Sequence, residues 1–158
     1  MNRFPYVLLT ALVVGCDRWL KTWAARSLAE SRPQSLVGNV IRLTRVHNPG
    51  GAFGIFRQNT ELFIVVSSVL AVGLLATLLL ARLDSRVLKT GLALVLGGAV
   101  GNVVDRLHFG YVLDFFEIRG FPVFNLADAS ITVGAGLILL IMVLGGDEGR
   151  SKGKTNSI

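Results

Sequence analysis

The sequence predicts a membrane α-helical protein with four transmembrane helices and a small β-sheet at the membrane surface. Of its 158 residues, 52% are hydrophobic and 16% are charged, and the mean hydropathy is +0.61. Water-soluble domains average about 25% charged residues, so this chain lacks the polar side chains that a wet surface needs. We expect one integral-membrane domain over residues 1–146, followed by a polar, disordered tail over residues 147–158.

Two apolar stretches in the first half of the chain predict the first two helices. The first helix is expected over about residues 4–23, where an apolar run leads into a short charged segment with two tryptophans. Arg18 and Lys21 in that segment are interpreted, like the tryptophans, as anchors at the membrane interface. The second helix is expected over residues 62–81, an almost entirely apolar stretch of the roughly 20-residue length needed to cross a bilayer.

Two further stretches predict the third and fourth helices. The third, over residues 90–104, is shorter and ends at Asp105. The fourth, over residues 121–146, contains Asp128 within an otherwise apolar run. A short connection joins the two stretches, so we expect these helices to be neighbours.

The long segment between the first two helices predicts the sheet, over about residues 38–58. Residues 40–46 are rich in β-branched side chains and partly alternate, as strands do. The turn sequence Asn48-Pro49-Gly50-Gly51 follows, and residues 52–56 are the expected returning strand. Because open sheet edges are not tolerated in lipid, this sheet is expected at the membrane surface.

The distribution of basic residues favours cytoplasmic termini. The loop over residues 82–89 holds three basic residues, and the tail adds three more, as in cytoplasmic segments of membrane proteins. The segment over residues 24–61 contains five arginines, however, so a count of charges does not decide the orientation.

The composition argues against several classes of partner. A single cysteine, Cys16, leaves no internal disulfide, and two histidines, His47 and His108, make a histidine-built metal site improbable. The net charge of +6 is better explained by contact with anionic membrane lipids than by nucleic-acid binding, because no basic face with interleaved aromatic residues is visible. We expect no metal, no cofactor and no nucleic-acid partner.

Polar residues collect near one end of the third and fourth helices. They are Asn102, Asp105, Asp114, Asn125 and Asp128. Ionisable residues within membrane segments are costly and mark functional sites. Two carboxyl groups held a few ångströms apart share a proton, so that one can take a proton from water while the other donates to a carbonyl oxygen. Such a pair can hydrolyse a peptide bond without a metal or a covalent intermediate.

The surroundings of the three aspartates select the pair. Asp128 and Asp114 are each flanked by apolar residues, whereas Asp105 is followed by Arg106, whose guanidinium is expected to keep it ionised. We therefore expect Asp114 and Asp128 to be catalytic and Asp105 to support them by hydrogen bonding. On the chemistry alone, an alternative stays open: the aspartates cap helix ends or pair with arginines.

Five short motifs with polar residues are spread along the chain. In chain order they are Asp17-Arg18-Trp19-Leu20-Lys21, Asn48-Pro49-Gly50-Gly51-Ala52-Phe53, Gly101-Asn102-Val103-Val104-Asp105-Arg106, Val112-Leu113-Asp114-Phe115 and Phe124-Asn125-Leu126-Ala127-Asp128. They resemble motifs of the lipoprotein signal peptidases (signal peptidase II), which are bacterial inner-membrane aspartyl peptidases. The family patterns that they resemble are D-Q-x-S-K, N-x-G-A-A-F, G-N-x-x-D-R, V-x-D-F and F-N-x-A-D. Arg18, Leu20 and Gly51 depart from these patterns. Each motif is short, but five in this order and membrane context are specific.

The resemblance implies an intramembrane aspartic endopeptidase. Its substrates would be prolipoproteins whose cysteine carries a diacylglyceryl group, and cleavage just before that cysteine would remove the signal peptide. Asp114 and Asp128 would be the catalytic pair that activates water. The remaining site residues would line the site or support it: Asn48, Asn102, Arg106 and Asn125 as lining, and Asp17 and Asp105 as buried support.

The resemblance also implies a fold and a location. The fold would have four transmembrane helices, an extracytoplasmic β-cradle over about residues 38–58 and a short surface helix. The termini and the tail would be cytoplasmic, with the active site toward the outer face of the bacterial inner membrane. One chain supplies a complete pair of aspartates, so a monomer is expected.

Two other classes of function compete with this interpretation. A small transporter or proton-coupled channel would also use intramembrane aspartates, but it would need them across the membrane depth. A lipoprotein would be cleaved before Cys16, because Val13-Val14-Gly15-Cys16 matches a lipoprotein cleavage box. Further membrane segments follow this box, so we interpret it as the chance ending of an apolar run.

Overall fold

The computed structural model describes residues 2–30, 32–50 and 60–152. This part of the chain contains four helices and three strands. In chain order they are α1 (Phe4–Ser27), β1 (Gln34–Val37), β2 (Ile41–Asn48), α2 (Thr60–Leu80), α3 (Arg86–Phe109), β3 (Val112–Ile118) and α4 (Leu126–Lys152). The predicted fold class, a helical membrane protein with four helices and a small sheet, is confirmed. The short surface helix is not among the elements of the described residues and stays a prediction.

Three of the helices contain a segment long and apolar enough to cross a membrane: residues 61–80 in α2, 86–109 in α3 and 126–144 in α4. Helix α1 is as long as α3 but carries four charged residues in its second half. Two of these, Asp17 and Lys21, are buried in the helix bundle, so they do not face lipid.

Helix α3 is the centre of the bundle and packs against the other three helices. Glycines allow α4 to approach it closely. A Cβ atom on Gly91 would lie 2.8 Å from the backbone oxygen of Gly134, and one on Gly134 would lie 2.6 Å from the backbone oxygen of Gly91. Small residues at helix contacts are typical of membrane proteins, where close van der Waals packing drives association.

The sheet is antiparallel, with β2 between β1 and β3. The predicted strand over residues 40–46 is confirmed as β2, whereas the predicted returning strand over residues 52–56 lies outside the described residues. Strand β3 was not predicted from the sequence, because its first four residues are all buried and do not alternate between apolar and polar. This strand fills much of the connection that was expected to be a short loop.

The third and fourth helices differ at both ends from their predicted bounds, and α3, expected over residues 90–104, spans Arg86–Phe109. Helix α4 begins at Leu126 and not near residue 121, because the backbone of Phe124 forms a β-bridge with Phe116 and is held in an extended conformation. Helix α4 also continues to Lys152, so the first part of the predicted polar tail is helical.

Candidate active site

The ends of four elements meet around a cavity of about 750 Å³. They are the end of β2, the last turns of α3, the strand β3 and the first turn of α4. The cavity lining includes most of the residues that the sequence selected: Asn48, Asn102, Arg106, Asp114 and Asp128. The two predicted catalytic aspartates therefore lie on the wall of one cavity, at one end of the bundle.

The pairing of β2 with β3 places Asn48 beside Asp114. Asn48 is opposite Val112 in the sheet, and Val112 and Asp114 share a face because side chains alternate along a strand. The side-chain nitrogen Nδ2 of Asn48 donates to Oδ2 of Asp114 at 2.9 Å. The backbone N–H of Gly50 donates to Oδ1 of Asn48 at 3.1 Å, so the predicted turn fixes which way this amide points.

Asp114 is almost fully buried, with 1% of its surface exposed. Burial, and after it the neighbouring carboxylate of Asp128, raises the pKa of its carboxyl group to about 7, against the lowering effect of hydrogen bonds from Asn48 and Asn125. Near neutral pH, Asp114 is thus protonated in a substantial fraction of molecules, as expected for one member of a pair that shares a proton.

Asp128 is held by the start of α4. The backbone N–H of Asn125 donates to Oδ2 of Asp128 at 3.2 Å, and the N–H of Asp128 donates to Oδ1 of Asn125 at 2.9 Å. This reciprocal arrangement is a capping box, which satisfies N–H groups that the first turn of a helix leaves unpaired. Asn102 also binds this carboxylate, since its Nδ2 donates to Oδ1 of Asp128 at 2.8 Å.

Asn125 links the two aspartates. It is fully buried, and its Nδ2 donates to Oδ1 of Asp114 at 2.8 Å and to Oδ1 of Asn102 at 3.2 Å. Asp128 therefore takes part in a helix cap, as the alternative interpretation expected. Asp114 instead lies on a strand and accepts hydrogen bonds from two asparagines. The same amide serves the helix start and the aspartate pair.

Lys21 is the site residue whose position the sequence did not predict. It is 2% exposed, and its ammonium group lies 2.7 Å from Oδ2 of Asp17 and 2.9 Å from Oδ2 of Asp105. It also donates to Oδ1 of Asn102 at 3.0 Å, which leaves the amide nitrogen of Asn102 facing Asp128. Its interpretation as an interfacial anchor is wrong. The spacing of Asp17 and Lys21, one helical turn apart, is the signal that could have revealed their pairing.

Asp17, which was expected to be buried support, contacts the start of α4. Its carboxylate is buried, and Oδ1 accepts a hydrogen bond from the backbone N–H of Ala127 at 3.0 Å. Asp17 therefore ties α1 to the first turn of α4, the turn that carries Asp128.

Asp105 and Arg106 do not interact as expected. In the described part of the chain, the ion pairs of Asp105 are formed with Lys21 and with Arg18, whose Nη1 lies 3.1 Å from Oδ1. Consecutive residues of a helix point about 100° apart, and Arg106 lines the large cavity instead, with its guanidinium 5.2 Å from the ring centre of Phe63. Arg106 thus forms no ion pair with Asp105 among the described residues, and Arg18 and Lys21 are the cations that contact its carboxylate.

The fold and the site define a class: a multi-pass helical membrane protein with two aspartates on the wall of one cavity at the end of its bundle. The model of the signal peptidase (SPase) II family matches residues 9–144. The chain therefore belongs to the signal peptidase II family, and the resemblance of the five motifs is confirmed.

Relatives and solved structures agree over nearly the full length. The chain is 40% identical over 147 residues to the lipoprotein signal peptidase of Moorella thermoacetica, covering 92% of this chain and 98% of that protein. It is 39% identical to that of Brevibacillus brevis, covering 92% and 99%. A bacterial membrane enzyme structure solved by the in meso method has a TM-score of 0.83 at 25% identity, covering 98% of this chain and 93% of that one. The family thus accounts for the whole fold.

Proposed function

We propose that this chain is an aspartic endopeptidase that removes the signal peptide from prolipoproteins carrying a diacylglyceryl cysteine, by cleaving just before that cysteine. The observation that carries the proposal is the pair formed by Asp114 and Asp128 on one cavity wall, where burial raises the pKa of Asp114 to about 7. The name lipoprotein signal peptidase, borne by its relatives, supports this substrate class.

The pair supplies both proton transfers that peptide hydrolysis needs. Protonated Asp114 donates to the oxygen of the scissile carbonyl, while Asp128 takes a proton from the water that attacks the carbonyl carbon. The tetrahedral intermediate then collapses: the peptide C–N bond breaks, the proton held by Asp128 moves to the leaving amine, and one of the two hydroxyl groups returns a proton to Asp114 as the C=O bond of the carboxyl product forms. The donors from Asn102 and Asn125 to Asp128 suit a carboxylate that accepts this proton.

The remaining site residues hold the pair and the substrate. Asn48 and Asn125 orient Asp114, and Asn102 orients Asp128. Arg106 lines the cavity, and its guanidinium has N–H groups besides the buried Nε that can contact a substrate carbonyl. Both aspartates come from one chain, so a monomer is sufficient. The acyl chains of the substrate can remain in the bilayer while its backbone enters the cavity.

The start of α1 and the end of α4 lie at the end of the bundle opposite the site. Arg3 donates from Nη2 to the backbone oxygen of Ala81 at 3.0 Å, so the start of the chain lies beside the α2–α3 loop. This loop and the end of α4 carry the basic residues that predicted a cytoplasmic side. We place this end in the cytoplasm and the site toward the outer face of the bacterial inner membrane.

Ion pairing bears on the ambiguous charge count. Among the described arginines on the side of the site, three are paired with acidic residues: Arg18 with Asp105, Arg42 with Glu117 and Arg45 with Glu30. These ion pairs offset part of the positive charge on that side, which supports a cytoplasmic placement of the opposite end.

Cysteine labelling tests this orientation. In a Cys16→Ala background, Asn39→Cys in the β1–β2 turn and Asp84→Cys in the α2–α3 loop each give one exposed thiol. A membrane-impermeant maleimide added to intact cells is expected to label the cysteine at 39 and not the one at 84. The reverse pattern would overturn the proposed orientation without affecting the catalytic proposal.

A gel-shift assay with a lipid-modified precursor tests the catalytic pair. Asp114→Asn and Asp128→Asn are each expected to lower the cleavage rate at least about a hundredfold, the scale of general acid–base catalysis. Asp84→Asn is the matched control, since it makes the same change at an exposed position in the α2–α3 loop, at the opposite end of α3 from the site. Cleavage at the normal rate by either site variant would remove that aspartate from the mechanism. Asp105→Asn is expected to retain part of the activity.

A further inference from the structure

A smaller cavity, of about 220 Å³, lies outside the catalytic cavity, between the second half of α1 and the connection from α3 to β3. Its walls combine basic and aromatic side chains. Those used below are Arg18, Lys21, Arg26, Asp105, Phe109 and Tyr111.

The cavity lining carries net positive charge. It contains three cationic side chains and one carboxylate, that of Asp105, which is already paired with Lys21 and Arg18. Arg18 uses Nη1 for this pair, and 43% of its side chain is exposed. Since a guanidinium has five N–H groups, Arg18 retains donors for a ligand. Arg26 is exposed, so a second guanidinium is available at the same cavity.

The two arginines can converge on one group. They are eight residues apart on α1, a rise of about 12 Å, with Thr22 between them on the same side of the helix. The guanidinium of Arg18 lies 5.0 Å from the ring centre of Phe109, and such a contact orients its plane. Planar guanidinium groups bind phosphate oxygens in pairs of hydrogen bonds.

The position of the cavity indicates a lipid rather than a soluble anion. Trp19 and Trp23 lie on the same part of α1 and are both exposed, as tryptophans are at the level of lipid headgroups. The ring of Phe109 is also exposed and forms one wall of the cavity. A ligand here would meet apolar surface and cations together.

We propose that this cavity binds the phosphate group of an anionic phospholipid from the surrounding leaflet, between Arg18 and Arg26. The proposal depends on the membrane location and not on the cleavage reaction. The bound lipid would lie beside Asp105, whose partner Lys21 also holds Asn102 in the catalytic site. The phosphate-binding cavity thus adjoins the support of the aspartate pair without containing either aspartate.

Tryptophan quenching tests the proposal without using activity. The chain has two tryptophans, Trp19 and Trp23, both exposed on the part of α1 that contributes residues to the cavity lining. In vesicles, phosphatidylglycerol with brominated acyl chains is expected to quench them more than the same fraction of brominated phosphatidylcholine. Each basic residue near anionic headgroups contributes about a fivefold preference, so Arg26→Gln should lower the preference for phosphatidylglycerol about fivefold. Arg32→Gln, an exposed arginine that does not line the cavity, is the matched control.

The possible outcomes separate the sources of the phosphate. An unchanged preference in Arg26→Gln, or an equal loss in Arg32→Gln, would overturn the site in favour of diffuse surface charge. Full displacement of the lipid by an excess of glycerol phosphate would retain the site but overturn its assignment to a lipid. Arg26→Lys is expected to keep part of the preference, because it preserves the charge and loses the paired hydrogen bonds.

Discussion

Asn125 and Asp128 hydrogen-bond each other in both directions, with the N–H of Asn125 donating to Oδ2 of Asp128 at 3.2 Å and the N–H of Asp128 donating to Oδ1 of Asn125 at 2.9 Å. The amide of Asn125 then donates to Asp114 at 2.8 Å. One residue therefore starts α4, orients one carboxyl group of the pair and contacts the other. The relative position of the two carboxyl groups therefore depends on where α4 begins.

Replacing Asn125 tests this double role. In Asn125→Ala, the loss of the cap and the unpaired buried groups around it are expected to lower the free energy of unfolding by roughly 3 kcal/mol. In Asn125→Asp, the cap can form, but the donor to Asp114 is lost and a third carboxyl group is added. This variant is expected to fold and to lose cleavage. Thermal unfolding and the gel-shift assay measure the two effects, and an Asn125→Ala protein as stable as the wild type would contradict the capping role.

Asp114 makes stability depend on pH. Burial raises its pKa from 3.8 in the unfolded chain to about 7 in the folded protein, so the folded state binds more protons between these values. The stability that this carboxyl group contributes is complete below about pH 4 and is lost as the pH rises through 7, with a slope of up to about 1.4 kcal/mol per pH unit.

The variant Asp114→Asn removes this titration. Its melting temperature is expected to fall less than that of the wild type between pH 4 and 8, whatever constant difference the lost hydrogen bond causes. Parallel curves for the two proteins would show that Asp114 has an ordinary pKa. In the same pH series, wild-type cleavage is expected to decline above about pH 7, because the proton donor of the pair is lost.

The buried position of Lys21 predicts a large cost for neutralising it. Lys21→Met leaves Asp17 and Asp105 buried without their common partner, which is expected to lower the free energy of unfolding by roughly 3–5 kcal/mol. Adding Asp17→Asn removes one of the stranded charges and should restore part of this loss. Arg86→Met, at an exposed position of α3, is the control. A surface anchor at residue 21 would instead give the same small effect in both single variants.

The close approach of α3 to the start of α4 predicts a position intolerant of any side chain. A Cβ atom on Gly98 would overlap the backbone oxygen of Ala127, next to Asp128. Gly98→Ala is therefore expected to displace the first turn of α4 and to lower both stability and cleavage. At Gly136, further along α4, a Cβ atom meets nothing within 4 Å, so Gly136→Ala should leave both unchanged. Equal behaviour of the two variants would argue against this contact.

Much of the protein could be predicted from local sequence patterns. Apolar segments of bilayer length gave the helices, and β-branched residues followed by a turn sequence gave β2. The aspartates stood out because ionisable residues are rare in apolar segments, and their apolar neighbours favoured Asp114 and Asp128 over Asp105. These features depend on the composition of one short stretch at a time, so the sequence determines them by itself.

The tertiary structure decided which polar groups meet. Lys21 at the end of an apolar helix has the same local pattern whether it extends to the membrane surface or pairs inside the bundle. Only the packing of α1 against α3 brings it to Asp105 and Asn102, which are distant in sequence. The burial of β3 likewise depends on its pairing with β2. The free energy of a buried charge or an extended segment is set by its partners, and those partners come from parts of the chain that no local pattern connects.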